Sequence, residues 1–189
     1  MTNTTFGPSA LATPANALSA ARLLAAPVVV AMVVVWGPGW PELAVAFVVA
    51  ATDGLDGWIA RRQGATRSGA FLDPLADKAI VLGLLGAVAA RGEVSWVPVG
   101  LIALREVAMS VYRAAVARKG VSIPARRSAK AKTLVQDIAT GMCLVPELAS
   151  RHEVLGVALW VAVALTLLTG FQYLQDGRRA SHRAAEGAR

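Results

Sequence analysis

Residues 53–77 read DGLDGWIARRQGATRSGAFLDPLAD. Four aspartates stand in this stretch, Asp53, Asp56, Asp73 and Asp77, and long apolar runs flank it on both sides. A carboxylate beside hydrocarbon costs at least about 2–3 kcal/mol on insertion scales, so four of them call for compensation. Their spacing suggests how it is arranged. Asp53 and Asp56 are three residues apart and share a helical face, and Asp73 and Asp77, four apart, do the same on a second helix. Gly64, Thr66, Ser68 and Gly69 between the pairs mark a short polar loop joining antiparallel neighbours. The two carboxylate faces can then converge. Hard oxygen donors in that number suit Mg²⁺ or Mn²⁺, with two ions as the expected load.

The composition around this stretch points to a membrane. The 189-residue chain is 56% hydrophobic and 16% charged, with a mean hydropathy of +0.54. A soluble domain carries nearer a quarter of charged residues. The net charge is +7, but the basic residues lie between apolar runs. Anionic headgroups or a phosphate-bearing substrate are therefore the expected partners, and nucleic acid is not. The single cysteine, Cys143, excludes a disulfide framework and a thiolate metal site. The first basic residue is Arg22, so the n-region of a cleavable signal peptide is missing.

The expected fold is all-α and polytopic, with six transmembrane helices around a cytoplasm-facing, metal-lined cavity. The spans are read at 15–36, 42–62, 73–90, 94–116, 128–148 and 154–174, each near the roughly 20 residues that cross a bilayer core. Span 3 is expected to begin at Asp73, with Pro74 in the first helical position. Residues 1–14 form an N-terminal segment, 15–176 the membrane domain and 177–189 a basic tail. An even number of spans puts both termini on one side. That side collects Arg22, Arg61, Arg62, Arg67, Lys78, the basic residues from 113 to 132 and the tail, whereas the other receives only Arg91 and Arg151. The positive-inside rule makes the rich side cytoplasmic. Both aspartate pairs fall there, in the cell (inner) membrane.

The same stretch fits D-x2-D-G-x2-A-R-x7-G-x3-D-x3-D, with Gly57, Ala60, Arg61 and Gly69 in the remaining fixed places. It resembles the signature of the CDP-alcohol phosphatidyltransferases, integral membrane enzymes of phospholipid synthesis. The resemblance implies transfer of a phosphatidyl group from CDP-diacylglycerol to an alcohol, with release of CMP. It implies that Asp53, Asp56, Asp73 and Asp77 hold the metals and that Asp77 is the base for the acceptor hydroxyl. It further implies that Gly57, Arg61, Thr66 and Gly69 bind the CDP-lipid, that Asn16 and Ser19 line the nucleotide site, and that the enzyme is a homodimer. Physically, Gly57 leaves room for a ligand against the helix backbone, and Arg61 can make a charge-assisted bond to a phosphate.

The acceptor is read from two further stretches. LREVAMSVYR carries Arg105 and Glu106 inside span 4, and SAKAKTLVQDIA carries Lys130, Lys132, Thr133 and Gln136 at the start of span 5. Both resemble the phosphatidylglycerophosphate synthase branch of the family, whose acceptor is glycerol 3-phosphate; Ala129 stands where that branch usually has glycine. Arg105, Lys130 and Lys132 could together receive a phosphomonoester dianion, which a neutral acceptor would not require.

Plainer readings stand beside these. Thr66 can be an ordinary loop residue, Lys130 and Lys132 interfacial anchors, and Asn16 and Ser19 a helix cap. Arg105 and Glu106 can form an ion pair that locks spans 4 and 5. His152 and His182 are expected to stand without partners. Rival functions are a cardiolipin synthase using phosphatidylglycerol as acceptor, a polytopic prenyltransferase, which would lack the Gly57–Ala60–Arg61–Gly69 framework, and a cation-coupled carrier, which would hold its carboxylates near mid-bilayer.

Overall fold

Pro14 occupies the first position of α1 (Pro14–Trp36), where its missing N–H would be unpaired in any case. The helix stops at Gly37, whose φ of 89° is open to glycine and strained for other residues. The Gly37 N–H donates to Val33 O at 2.9 Å. Three residues later α2 (Trp40–Gln63) begins, and α3 (Gly69–Ala90) follows. Gly92, with φ 78°, closes α3 with paired bonds, its own N–H to Ala89 O at 3.0 Å and that of Glu93 to Val88 O at 3.1 Å, the pattern of a Schellman stop. Helices α4 (Trp96–Arg118), α5 (Arg127–Leu144), a single turn α6 (Pro146–Ala149) and the long α7 (His152–Glu186) complete the chain.

This computed structural model describes residues 14–63, 69–118 and 127–186, with side chains described over 17–52, 75–116 and 128–177. Among the described residues every regular element is helical. Helix α1 packs on α2 and α3, α7 packs on α4 and α5, and α3 bridges the two groups through α4 and α5.

Six long helices occupy the six segments expected to span, with shifted ends. Helix α3 starts at Gly69, four residues before the expected Asp73. Pro74 therefore lies just past the first turn, where it removes one bond of the ladder. Helix α7 continues to Glu186, through the segment read as a separate tail. At about 1.5 Å per residue it is roughly 50 Å long, well beyond a bilayer core of about 30 Å. Two helical segments among the described residues are long and apolar enough to cross a membrane, Ala17–Trp36 and His152–Gly177. The apolar part of α2 among those residues, Trp40–Thr52, is shorter.

Apolar and polar burial separate along the bundle. The core gathers Val29 and Val33 from α1, Leu85 and Val88 from α3, Ile102 from α4, Leu144 from α5, and Leu155 and Leu159 from α7. These residues lie toward the end where α1 and α3 stop and α7 begins. That end is also latched by polar contacts. Arg91 Nη1 donates to Val34 O at 2.9 Å, capping the last turn of α1, and Arg91 Nε donates to Glu93 at 3.2 Å. His152, expected to be unpartnered, meets Glu93 O through Nδ1 at 2.8 Å. Trp40 Nε1 donates to Glu147 at 3.3 Å. Toward the other end most of the buried polar residues gather, Ser19, Arg22, Glu106, Lys132, Gln136, Thr166 and Thr169, while Glu42 and Thr140 are buried nearer the apolar end.

Candidate functional site

The polar end is built around Glu106. Its side chain projects from the middle of α4 and is nearly fully buried, a position that a carboxylate can hold only with partners. Three cations supply them. Arg105 Nη1 donates to Glu106 Oε1 at 2.8 Å, and Lys132 Nζ, from the start of α5, donates to the same oxygen at 2.5 Å. Lys78 Nζ, from α3, stands 3.7 Å from Oε2 and 3.4 Å from Glu106 O. Lys78 also donates to Ser110 Oγ, one turn along α4, and that hydroxyl donates to Glu106 O at 2.8 Å. One carboxylate thus joins α3, α4 and α5.

Helix α7 closes the cluster from behind. Arg105 Nη2 donates to Thr169 Oγ1 at 3.0 Å. Beside it Gly170 makes room for the guanidinium, because a Cβ there would lie 3.2 Å from Arg105 Nε. Further along the same seam Arg113 lies over the Tyr173 ring, 5.5 Å from its centroid. Tyr112 meets that ring edge-on at 6.1 Å, and Ser128 Oγ donates to Gln172 at 3.0 Å.

These contacts sort the residues expected from sequence. Arg105 and Lys132 come together, and the Arg105–Glu106 pair forms, drawing in α3 as well as α5. Lys130 does not join: it is exposed, because two residues along a helix turn a side chain about 200° away from Lys132. Lys78, which the sequence marks only as a basic residue on the cation-rich side, enters the cluster. Its contact depends on how α3 lies against α4, which no local pattern reports. Gln136 lies one turn after Lys132 on the same face of α5 and is buried, its Oε1 without a hydrogen bond.

For the metal and nucleotide residues the placement is coarser. Asp53, Asp56, Gly57 and Arg61 lie on the last turns of α2, and Gly69, Asp73 and Asp77 on the first turns of α3. Asp77 is half-buried and immediately precedes Lys78. Ser19 is fully buried near the start of α1, and Arg22, one turn on, is buried with it. The side chains of Asn16, Asp53, Asp56, Gly57, Arg61, Gly69 and Asp73 lie outside the described residues, as does Thr66 altogether. Among the described residues no group of three His, Cys, Asp or Glu side chains could hold a metal ion. The donor chemistry of the four aspartates suits one. Both aspartate pairs lie on neighbouring helices that touch, next to the same connection, and a set of four carboxylates offers the oxygen chemistry that Mg²⁺ and Mn²⁺ prefer.

A family model described as CDP-alcohol phosphatidyltransferase matches residues 12–168. The chain is 37% identical over 180 residues to a protein of Mycobacterium tuberculosis named "Probable phosphatidylglycerophosphate synthase", covering 92% of this chain and 85% of the relative. A Rickettsia bellii protein named "CDP-diacylglycerol--glycerol-3-phosphate 3-phosphatidyltransferase" is 34% identical over 167 residues, covering 85% of this chain and 92% of the relative. A protein of the same name from Sodalis glossinidius is 38% identical over 151 residues, covering 74% and 81%.

Proposed function

The chain belongs to the CDP-alcohol phosphatidyltransferase family, and on that premise we propose that it transfers the phosphatidyl group of CDP-diacylglycerol to glycerol 3-phosphate, giving phosphatidylglycerophosphate and CMP. The observation that carries this reading is similarity along nearly the whole chain to enzymes named for this reaction. The joined cations Lys78, Arg105 and Lys132 support it, since a phosphomonoester acceptor brings about −1.5 to −2 charges that need partners. The cation-carrier reading has no support among the relatives.

In the proposed reaction the acceptor hydroxyl oxygen attacks the phosphatidyl phosphorus of the donor. The bond from that phosphorus to the bridging diphosphate oxygen breaks, and CMP leaves with the oxygen. Asp77 takes the hydroxyl proton, a general-base role. Asp53, Asp56, Asp73 and Asp77 would hold Mg²⁺ or Mn²⁺, two ions in the fullest load. When bound, such ions neutralise diphosphate charge and steady the leaving group. Gly57, Arg61, Thr66 and Gly69 hold the CDP-lipid, with Asn16 and Ser19 on its nucleotide side. Arg105 and Lys132 orient the acceptor phosphate.

The same reading makes the chain a six-span protein of the cell membrane with its site and termini in the cytoplasm. Large apolar side chains on the outward faces of five helices support it, among them Leu24, Phe47, Leu104, Ile138 and Phe171. Water disfavours such a surface and lipid does not.

The test is CMP release by the purified protein from CDP-diacylglycerol and Mg²⁺, with each acceptor supplied in turn. Release with glycerol 3-phosphate is expected. Release with phosphatidylglycerol alone would move the enzyme to cardiolipin synthesis. Absence of release with every alcohol would reject the transferase reading.

A further inference from the structure

We propose that Glu106 is a positioning residue for the acceptor site: its carboxylate holds Lys78, Arg105 and Lys132 as one receptor for a phosphomonoester dianion, with Lys78 a specificity-determining member. The inference rests on the proposed transfer to glycerol 3-phosphate. It concerns how this chain assembles the site rather than which reaction it runs.

The geometry points this way for three reasons. The first is convergence. The cations come from α3, α4 and α5, and among the described residues Glu106 is a group that all three contact, with Arg105 at 2.8 Å, Lys132 at 2.5 Å and Lys78 at 3.7 Å. Lysine stems are flexible and their ammonium groups repel one another, so an unheld trio would splay.

The second reason is charge. Among the described contacts, three cations against the Glu106 carboxylate leave these four side chains with a surplus of two positive charges, and Arg113 adds to the positive field at Lys78. A cluster that only fastened helices would gain most from neutrality, because uncompensated charge in a buried setting is costly. A surplus of two matches the charge of a phosphomonoester at neutral pH.

The third reason is gradation. Lys132 and Glu106 have side chains only 8% and 7% exposed, whereas Lys78 is 27% exposed and sits farthest from the carboxylate. Lys78 therefore has the loosest hold on the Glu106 carboxylate, its other contacts being Glu106 O and the Ser110 hydroxyl, and it is the most exposed of the three cations to a ligand. It also follows Asp77 directly in sequence, so the acceptor phosphate and the base for the acceptor hydroxyl are anchored by adjacent residues of α3.

The decisive experiment is steady-state kinetics on the full chain in detergent, for wild type, Glu106→Gln, Glu106→Asp and Lys78→Met. Thermal unfolding is followed with and without glycerol 3-phosphate or CDP-diacylglycerol. Glu106→Gln is expected to raise KM for glycerol 3-phosphate about tenfold or more, the scale of a lost charge-assisted contact. KM for CDP-diacylglycerol should stay within about twofold and kcat within about threefold. Stabilisation by glycerol 3-phosphate should disappear while stabilisation by CDP-diacylglycerol persists. Glu106→Asp should recover most of the loss.

An unchanged or lower KM for glycerol 3-phosphate would overturn the proposal, since removing a competing anion should by charge alone tighten the site. A uniform fall in kcat with lower melting and no KM split would assign Glu106 a merely structural role and also overturn it. If Glu106→Gln does not fold, Lys78→Met must show the same KM split or the proposal fails. A wild type that releases CMP only with another alcohol rejects the functional reading itself. A wild type active on glycerol 3-phosphate with insensitive variants rejects this inference alone.

Discussion

Glu106 faces three cations with one carboxylate, so substitutions around it are unequal. Lys132→Met removes its closest partner and leaves a buried carboxylate short of compensation. This is expected to destabilise the protein by about 1–3 kcal/mol and to raise KM for glycerol 3-phosphate more than Lys130→Met does, because Lys130 is exposed away from the cluster. Melting curves and acceptor titrations of the two variants check this. Asp77→Asn keeps the side chain's shape and removes the proposed base, so kcat should fall by about 10²–10⁴ with the melting temperature nearly unchanged. At this scale the sequence was informative where chemistry is local. The aspartate pairs, Arg105 and Lys132 stand out because helical spacing puts paired carboxylates on one face and because charges inside apolar runs are costly. Lys78 did not stand out, because its role arises from contact with Glu106, 28 residues away. Lys130 and Lys132 looked alike in sequence and part company only once the face of α5 is known.

Helix ends carry their own predictions. Gly37 stops α1 with φ 89°, and a Cβ there would lie 2.8 Å from Arg91 Nη2, the side chain that caps Val34 O. Gly37→Ala therefore combines a left-handed backbone with a displaced cap. It is expected to cost about 1–2 kcal/mol, read as a lower melting temperature, with KM values for both substrates retained because the corner lies at the opposite end of the bundle from the cations. The existence of the long helices was legible from apolar runs broken by Gly-Pro and charged turns. Their ends were less so. Helix α7 runs on through its basic end because alanine, arginine and glutamate are good helix formers, and an apolar run marks where hydrocarbon burial stops rather than where the helix does. Helix α3 starts before Asp73 because Pro74 costs only one bond so close to the first turn.

Across the whole molecule, the apolar core and the polar cluster occupy opposite ends, and the charge follows the same division. The orientation that this implies can be checked with thiol labelling, since the native Cys143 is buried. An impermeant maleimide added to intact cells or spheroplasts should label Ser150→Cys, in the turn after α6, and should label Ser181→Cys, near the end of α7, only after the membrane is opened. Chelation of divalent metal should abolish CMP release, and Mg²⁺ or Mn²⁺ should restore it. The six long helices were legible from length and hydropathy, and the lysine and arginine count supplies the orientation that the labelling tests. The meeting of α3, α4 and α5 at one carboxylate was not, because it depends on packing between segments that no pattern within either one encodes.

The most direct test of the account is the identity of the lipid product. Purified protein is given CDP-diacylglycerol, glycerol 3-phosphate and Mg²⁺, and the lipids are analysed by mass spectrometry alongside the CMP released. The account expects phosphatidylglycerophosphate in equal amount to CMP, with neither formed by Asp77→Asn. CMP released without that lipid, or a product that appears only when phosphatidylglycerol replaces glycerol 3-phosphate, would contradict it.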